Sequence, residues 1–140
     1  MELPPATPHD TQPTKVCVDF DGARGCIAKA RDVAVALLRH HAPHVGHTFH
    51  DDVLLVVSEL VTNAVRHAPG PITLELALLP DGIEISVGDS SPGLPYSRTP
   101  DRTGGRGWPI VRGLARRVRV VPRRDGKTVH AELAWQPDAV

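Results

Sequence analysis

The chain has 140 residues, enough for one domain with a hydrophobic core. Apolar residues make up 41% and charged residues 23%, an ordinary balance for a globular protein. The 16 basic and 16 acidic side chains cancel, which argues against a general electrostatic grip on nucleic acid or a membrane surface. No run of about 18 apolar residues occurs, so no transmembrane helix is expected. The start, "MELPPATPHDTQP", lacks the basic end and apolar centre of a secretory signal. Cys17 and Cys26 have no metal-site spacing and make no disulfide framework, so reduced thiols in a cytoplasmic protein are expected.

Residues 1–13 are rich in proline and poor in apolar groups and read as a disordered leader. "KVCVDF" (15–20) alternates as a first strand. In 23–41, Ile27, Ala30, Ala34, Leu37, Leu38 and His41 recur at helical spacing, and Pro43 stops that helix. A His-rich loop follows, with Asp51 or Asp52 able to cap a second helix from Val53 to Ala68. "ITLELALL" (72–79) and "IEISVGD" (83–89) form a hairpin about "PDG". Residues 90–107 make a long loop rich in Gly, Ser, Thr and Pro. A third helix runs from about Trp108 to Arg117, then "VRVVP" and "TVHAELAW" pair about "RRDGK". A β-α-α-β-β-loop-α-β-β order predicts a single domain over 14–135, with 136–140 as a tail. The expected fold is an α/β (α+β) two-layer sandwich: a mixed, mostly antiparallel sheet with about three helices on one face.

Four stations carry chemical potential. Glu59 and Asn63 lie one turn apart on the polar side of the second helix, an acid able to take a proton and an amide oxygen suited to Mg²⁺. Asp89 ends an apolar strand and enters "SSPGLP". "TGGRGWPIV" leads glycines into a helix start, where free N–H groups can meet phosphate. Thr128 enters the last strand in "GKTVHAEL". Singly, each has an ordinary reading: solvated helix face, turn former, hinge, β-former.

Together and in this order, "ELVTNAVRHA", Asp89 with the "SSPGLP" after it, "GGRGWPIVRGLA" and "GKTVHAEL" resemble the nucleotide-binding fold shared by histidine kinases, Hsp90, gyrase B and MutL. The likeness is nearest to the bacterial anti-sigma-factor serine/threonine kinases and covers about residues 15–135. The resemblance implies ATP and Mg²⁺ as cofactors. Glu59 would be the general base and Asn63 the Mg²⁺ ligand. Asp89 would accept from the adenine amine, with Thr128 helping through water. Gly93 would keep the turn beside the base open. Gly105, Arg106 and Gly107 would meet the phosphates under a mobile lid. Such a division suits phosphoryl transfer, which needs mainly positioning and charge neutralisation. Implied partners are an anti-anti-sigma-type protein, a sigma factor, or both, with neither nucleic acid nor membrane bound directly and homodimerisation plausible. Two positions depart from the family pattern. Ser91 stands where the first glycine of the Asp box is usual. Thr103 stands where an arginine often precedes the second glycine box, with Arg102 and Arg106 beside it. A non-catalytic, ATP-responsive binding module therefore remains the alternative to a kinase.

Two further features have competing readings. His40, His41, His44, His47 and His50 could bind a metal, but Pro43 breaks helical spacing and no cysteine assists, so a solvated loop is the default. Arg112, Arg116, Arg117, Arg119, Arg123 and Arg124 give the chain end a basic bias. No nucleic-acid-reading motif accompanies them, and an acidic protein partner fits equally.

Overall fold

The structure, a computed structural model, describes residues 14–67, 70–91 and 107–135. In chain order the elements are β1 (Lys15–Phe20), α1 (Cys26–His41), α2 (His47–His67), β2 (Ile72–Leu79), β3 (Gly82–Asp89), α3 (Gly107–Leu114), β4 (Arg117–Arg123) and β5 (Gly126–Ala134). The expected leader and tail, 1–13 and 136–140, lie outside the described residues, as does most of the expected lid loop.

Five strands form one sheet in the order β1-β2-β3-β5-β4, and all four pairings are antiparallel. The parallel component of a mixed sheet is thus absent among the described strands. Both hairpins turn tightly, and antiparallel neighbours need only such short connections. The α+β two-layer arrangement is the expected one.

Strand alternation sorts the side chains. Ile72, Leu74 and Leu76 of β2, Ile83, Ile85 and Val87 of β3, and Val129, Ala131 and Leu133 of β5 are buried on one face. Polar groups occupy the other. There Lys15 pairs with Glu75 at 2.9 Å, Arg119 with Glu84 at 3.3 Å, and Ser86 Oγ hydrogen-bonds His130 Nδ1 at 2.7 Å.

The helices cover the apolar face, and α2 is the central one, packing against α1, α3 and the sheet. Its buried stripe is Phe49, Val53, Val56, Val57, Leu60, Val61 and Ala64. That stripe begins at Phe49, so α2 starts six residues before the expected Val53, at His47. Asp51 and Asp52 accordingly lie inside the helix rather than capping it. The cause is tertiary: Phe49 packs edge-on against Trp135, with ring centroids 5.3 Å apart. In α1, Cys26, Ala30, Ala34, Leu37 and Leu38 are buried, and Arg39, His40 and His41 in the last turn suit the negative end of the helix dipole. Ala42 N–H closes that turn on the Leu38 carbonyl before Pro43.

The His-rich segment is consequently not one loop. His40 and His41 end α1, His47 and His50 belong to α2, and only 42–46 connect them. His50 Nε2 lies 3.1 Å from the Ala42 carbonyl, and His44 meets Trp135 edge-on. Among the described residues, no group of three or more His, Cys, Asp or Glu is placed to hold a metal ion. No described helix is long and apolar enough to cross a membrane.

Candidate functional site

One end of the sheet gathers the chain's polar machinery. The short connection from α2 to β2 brings the end of α2 to the start of β2, where Thr73 pairs with Gly88 of β3. Asp89 closes β3 at this same end, and the β4–β5 turn lies beside it, with Asp89 paired to Lys127. Asn63, one turn from the end of α2, and Glu59, a turn earlier, are half-buried on that helix. The loop ahead of α1 reaches this end too. Gly22 (φ 86°) and Gly70 (φ 125°) approach so closely that a Cβ on Gly22 would overlap the Gly70 carbonyl. Both need the left-handed backbone that glycine adopts without strain.

Asp89 is the best-held residue of the set. Its side chain is only 3% exposed, and so is that of Lys127. Lys127 Nζ stands 3.1 Å from Oδ1 and 3.0 Å from Oδ2. The backbone N–H of Ser91 donates to Oδ1 at 2.8 Å, closing a turn about the carboxylate, and the Ser91 carbonyl accepts from Nζ at 3.3 Å. Ser91 thus touches the site through its backbone. Burying a carboxylate alone costs several kcal/mol, and an ammonium in contact offsets that cost.

Gly126 makes the pairing possible. A Cβ there would collide with the Asp89 carbonyl, so only glycine lets the start of β5 close onto the end of β3.

Thr128 falls elsewhere. Alternation puts Lys127 on the face of Val129, Ala131 and Leu133, and Thr128 on the outer face. The Thr128 hydroxyl accepts from Arg123 at 2.8 Å, and a Cβ on Gly88 would lie 3.4 Å from it, which fixes both on that side. Lys127, which none of the motifs singles out, takes the place beside Asp89. A signal for it exists in the chain: 127 shares parity with the apolar positions of its strand, as 89 does with Val87 and Ile85.

Gly93, Gly105 and Arg106, with Arg102 and Thr103, lie outside the described residues. Gly107 is the first residue of α3, which packs on α2. At the site end a cavity of about 320 Å³ is lined by Pro71, Thr73, Gly88, Asp89, Ser90, Arg123 and Asp125. A larger one of about 410 Å³ lies between α3 and β4, lined by Trp108, Arg112, Ala115, Arg116, Arg117, Val118 and Val120. Of the arginines that give the chain end its basic bias, Arg116 is held by Asp81 and Glu132, Arg119 by Glu84, and Arg123 bonds Thr128.

Glu59 and Asn63 are thus half-buried one turn apart on the central helix, and Asp89 is a buried carboxylate at a strand end. The model of the histidine kinase-like ATPase domain matches residues 23–133.

The chain belongs to that family.

Family membership implies ATP binding, and the residues present fit such a ligand. Asp89 offers an acceptor at the strand end, and Asn63 a neutral oxygen of the kind Mg²⁺ takes alongside phosphate and water. Among solved structures, the RsbU and RsbW domains of Rv1364c from Mycobacterium tuberculosis match with a TM-score of 0.68 at 20% identity. That match covers 90% of this chain and 34% of the other, so the chain spans about a third of it and shares its fold. No curated protein matches the sequence.

Proposed function

We propose that this ATPase-family domain is an ATP-dependent protein serine/threonine kinase that phosphorylates an anti-anti-sigma-type partner and controls transcription by partner switching. The observation that carries the nucleotide part is Asp89: a buried, ion-paired carboxylate fixed at the end of β3. The kinase part is supported by the resemblance of "ELVTNAVRHA" and the motifs that follow it to the anti-sigma-factor kinases.

Each residue has a role under this reading. Glu59 takes the proton of the attacking serine hydroxyl. Asn63 would hold Mg²⁺ through its amide oxygen. Asp89 orients the base by accepting from its exocyclic amine. Bound Mg-ATP would supply the transferable phosphoryl group and the cation that offsets its charge. A half-buried Glu59 is partly screened from water, so its carboxylate can serve a hydroxyl brought in by a partner.

A second reading, a non-catalytic ATP-responsive binding module, uses the same site. It is favoured by Thr103, which replaces the phosphate-reaching arginine that the family kinases often carry. Transfer of labelled γ-phosphate to a co-purified partner separates the two. Under the kinase reading, Glu59→Ala abolishes transfer while ATP binding survives within about threefold, because a general base contributes to the chemical step rather than to ground-state affinity. Wild-type protein that binds ATP and transfers nothing to its partner establishes the binding module instead.

A further inference from the structure

Lys127 is the charged side chain for which the motifs provide no role. It is 3% exposed, on a face otherwise formed by Val129, Ala131 and Leu133. An ammonium so placed is costly unless its donors are engaged. They are engaged, by both oxygens of Asp89 and by the Ser91 carbonyl.

The consequence lies in what remains free on Asp89. A carboxylate presents about four lone-pair positions, two on each oxygen. On Oδ1 one is taken by Lys127 and one by the Ser91 N–H. On Oδ2 one is taken by Lys127. Among the described residues, one acceptor position is left, and it is on Oδ2.

We propose that Lys127 is a positioning residue for base selection: it fixes the Asp89 carboxylate so that the single open Oδ2 position accepts from the 6-amine of an adenine nucleotide and rejects a 6-oxo purine. This rests on the nucleotide-site reading given above. With Lys127 on both oxygens and the Ser91 N–H on Oδ1, the carboxylate is held in one orientation and offers Oδ2 as an acceptor. Against a carboxylate so held, a 6-oxo purine in the same pose sets its carbonyl oxygen on that acceptor and leaves both unpaired. Without Lys127 the carboxylate loses a contact on each oxygen and can turn about its Cβ–Cγ bond, so that it accepts from the N1–H of a 6-oxo purine as well as from a 6-amine. Discrimination is lost although the carboxyl group is still present. An ion pair that served folding alone would affect stability and leave the ratio of affinities for the two bases unchanged.

The test is calorimetric titration of the full chain with Mg-ATP and Mg-ITP, which differ at the 6-position in this sense. Wild type is expected to favour ATP by roughly 10- to 100-fold, the range set by leaving one buried polar group unpaired. Lys127→Met is expected to bring the two affinities within about threefold of each other. Lys127→Arg, which keeps the charge and N–H donors, retains the preference. Lys127→Leu, which likewise removes both contacts, replaces the methionine variant if circular dichroism shows that variant unfolded. A folded Met or Leu variant with the wild-type ratio overturns the proposal. Wild type that binds ATP and ITP equally overturns it without any variant and leaves the nucleotide site standing. Wild type that binds neither removes the nucleotide-site reading as well.

Discussion

Single side chains at this site are decided by their hydrogen-bond accounts. Ser58 immediately precedes Glu59 on α2, and its Oγ is buried with no partner among the described residues. A hydroxyl taken from water and left unbonded costs about 1–3 kcal/mol. Ser58→Ala should therefore leave stability unchanged or raise it by up to about 1 kcal/mol in urea unfolding, since the helix-favouring methyl brings no such cost. Asp89 is the opposite case, with every bonded position traceable. Asp89→Ala strands the Lys127 ammonium in an apolar layer and should cost about 3–5 kcal/mol, read from the same urea midpoint. The free thiols differ as well. Cys17 is exposed, whereas burial of Cys26 pushes its thiol up from the usual range, so thiol reagents should label Cys17 first in the folded protein.

Between strands and helices, the glycines mark where backbones must meet. Gly126 has no room for a Cβ because the end of β3 fills the space. Gly126→Ala should lower stability by about 1–3 kcal/mol, as overpacking of a fixed site does. It should weaken ATP binding too, since it separates the strand carrying Lys127 from Asp89. Gly113 of α3 provides the contrast, for a Cβ there meets nothing within 4 Å. Gly113→Ala should stabilise by about 0.5–1 kcal/mol, the ordinary gain in a helix. Urea titration of the two variants side by side checks both signs. A Gly126→Ala protein as stable as wild type would mean that the β3–β5 junction is not held as tightly as its geometry requires.

Across the assembled chain, the outer face of the sheet sets the response to acid. Arg116 donates two N–H groups to Asp81, both at 2.9 Å, and Nε to Glu132 at 2.7 Å. The hydrogen bonds from Arg116 hold the Asp81 carboxyl below its usual 3.8. A lowered acid means that the unfolded chain binds the proton more readily. The stability from Asp81 is therefore complete above 3.8 and is lost as pH falls through the lower folded value. His130 has a parallel effect nearer neutrality. Burial, with Arg119 nearby, pushes its imidazole below 6.5. Its neutral form is thus favoured by folding, and stability declines as pH drops below 6.5, levelling once the folded imidazole also protonates. Melting temperatures from about pH 8 to about pH 3 should show both limbs. His130→Gln should flatten the limb below 6.5, and Asp81→Asn the one below 3.8.

Much of this was legible in the amino-acid order. Hydrophobic period marked the three helices and five strands found among the described residues, because each element must bury one face and repeats at its own spacing. Glu59, Asn63 and Asp89 could be named as candidates because their types and order are local properties of the chain. The start of α2 was not, since it depends on Phe49 finding Trp135, which lies 86 positions later in the numbering. Nor was the insertion of β5 between β3 and β4 legible, and that is the step that brought Lys127 rather than Thr128 to Asp89. Register between distant strands is a long-range choice, and a shift of one residue reverses every side chain. The order of residues fixes which groups the site can draw on. Only the packed sheet settles which of them meet, because partnership is a matter of distance in space.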